Sequence, residues 1–100
     1  MGTFAVTMEH GPGWDSARGI REQDGWAEHA AFMDALVADG TVIIGGPIGP
    51  DQALLCVAAP DEQAVRDRLA PDPWASAGLM HIGAVREWLL WLDSRTAQPA

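Results

Sequence analysis

A single small α+β domain, with an antiparallel sheet backed by helices, is the fold class this sequence predicts. Three observations carry it: a two-residue apolar alternation near the start, a helical apolar stripe from about residue 26, and short β-branched or apolar runs broken by glycine and proline. One hundred residues suit one domain rather than two. A chain of this size buries roughly two-thirds of its unfolded surface, so a second subunit would help bury the remainder.

Residues 3–9 alternate Phe4, Val6 and Met8 against Thr3, Ala5, Thr7 and Glu9, which predicts a first strand with one buried face. His10-Gly-Pro-Gly13 ends it. The stretch up to Gly25 has weak periodicity, carries Asp15, Arg18, Arg21 and Asp24, and reads as a loop with room for one helical turn. Long ordered loops in compact domains are often functional. From Asp24 or Gly25 to Asp39 the spacing is helical: Trp26, Ala30, Met33 and Val37 share a face, adjoined by His29, Phe32 and Leu36, and Gly40 follows as a cap.

Residues 41–44 predict a second strand ended by Gly45-Gly-Pro47, and residues 53–59 a third after the turn at Gly49-Pro-Asp51. Pro60 stops that strand and Asp61 caps a helix with Val65 and Leu69 inward, which Pro71 ends. Asp72-Pro73-Trp74 opens a short helical turn closed by Gly78. Residues 80–91 predict a last strand, with Ile82, Ala84, Trp88 and Leu90 on one side and His81, Gly83, Val85, Glu87 and Leu89 on the other; pattern alone also admits a helix there. Residues 1–92 thus form one domain, and the polar tail at 93–100 is expected to fray.

The order β-α-β-β-α-(short α)-β is the ferredoxin-like split βαβ arrangement, an antiparallel sheet with helices on one face. Nothing left in the chain covers the other face. A homodimer packing sheet on sheet across a twofold axis is the economical answer.

Fourteen acids against six arginines and no lysine give a formal charge of −8. That argues against nucleic acid, whose phosphates need clustered cations, and against an anionic membrane surface. The single cysteine, Cys56, sits in an apolar run, excludes an intramolecular disulfide and reads as a buried thiol. No signal peptide and no run of membrane-spanning length is visible, so a cytoplasmic protein is expected.

No motif announces a cofactor. Gly45-Gly-Pro-Ile-Gly-Pro50 lacks both a lysine and dinucleotide-binding spacing, so it reads as a turn. His10, His29 and His81 have no ligand-type partner at i, i+4, so no metal is expected. On spacing alone His29 reads as a core histidine, Asp72 as a helix cap and Trp74 as packing. An imidazole facing the sheet is nevertheless placed for acid–base work.

Four ordered segments change that balance: the helix histidine in EHAAFMDALVADG, the GGPIG turn, DPW, and the glycine of ASAGLMHI. Together, over roughly residues 3–91, they resemble the YCII-related (YciI-like) family. The resemblance implies a dimeric α+β barrel of ferredoxin-like subunits, a histidine–aspartate dyad at His29 and Asp72, and a cleft beside Gly46 and Pro47. It implies a cofactor-independent enzyme working by acid–base chemistry on a small, cyclic organic substrate, in the manner of an isomerase, lyase or dehydrochlorinase. Trp14 and Trp74 are candidates to wall the pocket, and Arg21 or Arg18 to hold a substrate carboxylate. The alternative is a non-catalytic small-molecule-binding or accessory module using the same cleft. The long first loop and Trp74 depart from the family's usual pattern and leave the substrate open.

Overall fold

The computed structural model describes residues 1–96. Strand β1 (Gly2–His10) leads into the long loop, which contains one 3-10 turn (Ile20–Glu22), and then into helix α1 (Trp26–Ala38). Strands β2 (Val42–Ile48) and β3 (Gln52–Ala59) form a hairpin. Helix α2 (Glu62–Leu69), the single-turn helix α3 (Pro73–Ser76) and strand β4 (Met80–Glu87) complete the chain. The sheet order is β2-β3-β1-β4, and every pairing is antiparallel. The fold is therefore the α+β, ferredoxin-like arrangement that the element order predicts.

The core lies between the helices and one sheet face. Phe4, Val6 and Met8 of β1, with Leu55, Val57 and Ala59 of β3, meet Leu36, Val65, Leu69 and Trp74. Each valine, leucine, phenylalanine or methionine among these contributes roughly 1.5–3 kcal/mol on full burial. Asp61 caps α2 by accepting from the backbone N–H of Ala64 at 2.8 Å.

Two strands differ from expectation. β2 does not stop at Gly45 but pairs with β3 through Ile48, with Pro47 opposite Ala53. Proline is tolerated because β2 is an edge strand, where a missing N–H breaks no inner ladder. A Cβ on Gly45 would fall 2.6 Å from the Leu55 side chain and 3.1 Å from the Leu54 carbonyl, so glycine lets the strands close.

β4, expected over 80–91, ends at Glu87. Glu87 already faces Phe4, so β1 has few residues left to pair with residues 88–91. The expected alternation is also broken. Thr7 faces Ala84 while Met8 faces Ile82, leaving Gly83 as an extra residue in a bulge. The Ala84 N–H donates to the Thr7 hydroxyl at 2.9 Å within this irregularity. The phase therefore flips: Ile82 and Val85 both pack on the core, whereas Ala84 falls with Thr7 on the opposite face.

Among the described residues, that opposite face carries no helix. Residues beyond Glu87 partly border it: Trp88, Leu90 and Asp93 flank a hollow of about 300 Å³ with Ile44 and Cys56. Burial pushes the Cys56 thiol upward from its ordinary pKa, with Arg95 opposing and Asp93 adding to the rise. Of the tail expected to fray, Asp93 and Arg95 form an ion pair at 2.5 Å, and residues 97–100 lie outside the described residues.

Candidate active site

Antiparallel pairing gathers one set of ends together. The C-terminal ends of β1 and β2 lie beside the N-terminal ends of β3 and β4. The long loop leaves β1 at this end and runs back to the start of α1.

His29 sits in the first turns of α1, its N–H bonded to the Gly25 carbonyl at 3.0 Å. Gly25 precedes the helix with φ of 76°, a left-handed conformation that favours glycine. Asp72 is fixed independently. Pro71 ends the preceding helical run, and Asp72 caps α3 by accepting from the Trp74 N–H at 2.9 Å, with Pro73 at the first helical position. This cap aims the carboxylate at α1. Both Asp72 oxygens lie 2.9 Å from His29 Nδ1. The geometry assigns Nδ1–H as donor to the carboxylate, which leaves Nε2 with the lone pair in the neutral ring. Asp72 is only 4% exposed and the His29 side chain 13%.

Aromatic rings hold the pair from the side. Trp74 is buried and stacks on the His29 imidazole, with centroids 3.9 Å apart and planes within 6°. Its indole N–H donates to the Asp24 carbonyl at 2.8 Å, tying α3 to the loop. Trp26 lies at 5.9 Å from His29 and 5.8 Å from Trp74. Trp14 meets Trp74 edge to face at 5.6 Å, and its ring also stacks on His10 at 3.7 Å.

The candidates drawn from the sequence fall into separate places. His29, Asp72 and Trp74 form one contact group. Trp14 and Pro47 line a cleft of about 500 Å³ together with His10, Met80 and Gln52, and neither His29 nor Asp72 is among its lining residues. Gly46 borders a different hollow, of about 260 Å³, on the face without helices. Arg21 is exposed on the 3-10 turn and makes no side-chain hydrogen bond among the described residues. Arg18 is engaged: it binds Asp15 at 3.0 Å, Asp24 at 3.1 Å and the Glu22 carbonyl at 2.9 Å. Asp24 and then Asp15 raise its pKa, keeping it charged but occupied.

Two residues that the sequence does not mark as part of a site have a role in this region. Gln23 is 3% exposed and organises the loop: its amide N–H groups donate to the carbonyls of Asp15, Arg18 and Gly19, and its oxygen accepts from the Asp15 N–H. A lone glutamine in an aperiodic stretch gives no signal of this. His10 lines the cleft, and its position at a strand end before Gly-Pro-Gly was the one available hint. No metal-holding group of three or more His, Cys, Asp or Glu occurs among the described residues.

The fold defines a small α+β subunit, a four-stranded antiparallel sheet of ferredoxin-like order with its helices packed on one face. A solved relative of this type is 5-chloro-2-hydroxyhydroquinone dehydrochlorinase from Burkholderia phenoliruptrix, in complex with 2,5-dihydroxybenzoquinone. It shares 22% identity over 96% of this chain and 99% of its own, with a TM-score of 0.60. The chain belongs to the YCII-related family, whose domain matches residues 4–89. No curated protein matches it in sequence.

Proposed function

We propose that this protein is a cofactor-independent acid–base enzyme acting on a small cyclic organic molecule, with His29 as proton carrier and Asp72 as the residue that orients it. The observation that carries the reading is the 2.9 Å contact between His29 Nδ1 and the nearly buried Asp72 carboxylate. With Nδ1–H donated to Asp72, Nε2 takes a proton from an acidic C–H or O–H of the substrate. The electron pair released then forms an enolate. Return of the proton to another atom completes an isomerisation, and departure of chloride completes an elimination. The dehydrochlorinase neighbour lends the second outcome as an analogy of fold, which is weaker than an argument from the site. The test is deuterium exchange, followed by proton NMR, over a panel of cyclic diketones and chlorinated hydroquinones. Exchange or chloride release by the wild type, lost in His29→Ala, supports the reading; no turnover of any panel member by the wild type counts against it.

A non-catalytic binding module is the second reading. It is favoured by the cleft of about 500 Å³, whose lining omits both residues of the pair.

The same proposal includes a homodimer. Ile44, 63% exposed, and Ile48 lie on the sheet face without helices, and Leu89, Trp91 and Leu92 are exposed just after β4. Covering such apolar surface with a second copy is the economical solution. Light scattering is expected to give twice the mass of the chain; a folded monomer at micromolar concentration would overturn it. The net charge of −8 supports a partner set without nucleic acid or anionic membrane, and no described helix is long and apolar enough to cross a membrane.

A further inference from the structure

The cleft beside His10 has the parts of a ligand site that the pair at His29 does not use. Neither ring nitrogen of His10 has a hydrogen-bond partner among the described residues, although the ring is pinned flat against Trp14, at 3.7 Å and 12° between planes. The imidazole is therefore oriented and its polar edge is unspent. Around it the cleft is mostly apolar, with Trp14, Ile20, Pro47 and Met80 contributing flat or flexible surfaces. Its volume of about 500 Å³ falls within the roughly 300–1,000 Å³ usual for small-molecule sites.

Charge narrows the occupant. Asp51 lines the cleft and has no cationic partner among the described residues, while Arg18, the one cation of the lining, is held by Asp15 and Asp24. The chain as a whole carries −8. An anion would meet net repulsion.

We propose that this cleft binds a neutral, hydroxylated aromatic ring, with His10 hydrogen-bonding the hydroxyl and Trp14, Pro47 and Met80 packing against the ring. The site stands apart from the acid–base pair and rests only on the reading of the protein as a small-molecule binder.

Titrations of the full chain with phenol, toluene and benzoate, followed by ¹H–¹³C spectra of the histidine rings, test it. Phenol is expected to shift the His10 signals and to bind more tightly than benzoate. His10→Phe preserves the stack on Trp14 but removes the nitrogens; it should weaken phenol by about tenfold, the scale of one hydrogen bond, and leave toluene nearly unchanged. Asp51→Asn, on an exposed turn, should strengthen benzoate severalfold relative to phenol. Equal phenol affinity in wild type and His10→Phe, or benzoate unaffected by Asp51→Asn, would overturn the site. His29→Ala is expected to bind phenol like the wild type. Loss of turnover there with retained binding separates failure of the pair from failure of the cleft.

Discussion

Two histidines at the same end of this sheet are treated in opposite ways. His29 has its Nδ1 committed to Asp72, one ring face covered by Trp74, and only 13% of its side chain exposed. His10 is also stacked on an indole, yet its nitrogens have no described protein partner and it lines the larger cleft. Stacking alone therefore fixes a plane. A carboxylate partner is what fixes a tautomer, and with it which nitrogen is left to meet a proton. Trp14 and Trp74, meeting edge to face at 5.6 Å, connect the two arrangements into one aromatic wall.

The sharpest way to break the contrast is to remove the charge beside His29. Asp72→Asn preserves size and can still cap α3, but an amide can hold the ring in the wrong tautomer and cannot stabilise an imidazolium. Turnover of any substrate found is expected to fall by about 10²–10⁴, with the circular dichroism spectrum unchanged. His29→Ala should lose a similar amount, and the double variant little more, because groups acting as a unit are not additive. Additive losses would show that the two act separately.

Trp74→Ala removes the clamp and leaves a cavity in the core. Loss of such a side chain costs about 3–5 kcal/mol, so denaturant titration should show a large drop in midpoint. The matching change on the other side, Trp14→Ala, is expected to be milder, because Trp14 is only partly buried. Equal losses would mean that the two halves of the wall are not distinct.

Gln23→Leu probes the His10 side through its support. The leucine cannot satisfy the carbonyls of Asp15, Arg18 and Gly19 that the glutamine amide now meets. Leaving buried polar groups unpaired costs about 1–3 kcal/mol. Hydrogen exchange should quicken across residues 14–24 and much less in α1. A uniform increase over the whole chain would instead indicate global destabilisation.

The sequence displays this molecule unevenly, and for physical reasons. The alternation of Phe4, Val6 and Met8, the Asp61 cap after Pro60 and the Asp72 cap between Pro71 and Pro73 are local signals, and they placed β1, α2 and α3 well. The bulge at Gly83 was hidden because what its glycine accommodates lies across the sheet: a Cβ there would lie 2.7 Å from the Glu9 carboxyl carbon and 2.9 Å from the Thr7 hydroxyl. β2 ran past Gly45-Gly-Pro47 because it is an edge strand, which no local pattern announces. At the site, a histidine on the apolar side of a helix was visible, but its meeting with Asp72 spans 43 positions of sequence and needed the family pattern to be suspected. The division between pair and cleft was not legible at all. It depends on how the long loop folds around Gln23, whose hydrogen bonds are to backbone carbonyls and leave no trace in residue spacing.

The smallest expected effect requires no substitution. Long-range ¹H–¹⁵N spectra, recorded at a pH where both imidazoles are neutral, report which nitrogen of each ring carries its proton. His29 is expected as a single Nδ1–H tautomer, because that proton lies between the ring and two carboxylate oxygens at 2.9 Å each. An imidazole without a partner exchanges between tautomers, so His10 should give averaged nitrogen shifts. Phenol should then move His10 toward one tautomer and leave His29 as it was, since only His10 has an uncommitted nitrogen edge in the cleft. Two averaged histidines would remove the distinction between a held and an offered imidazole. Two fixed ones would mean that His10 already has a partner, such as an ordered water or a second copy of the chain.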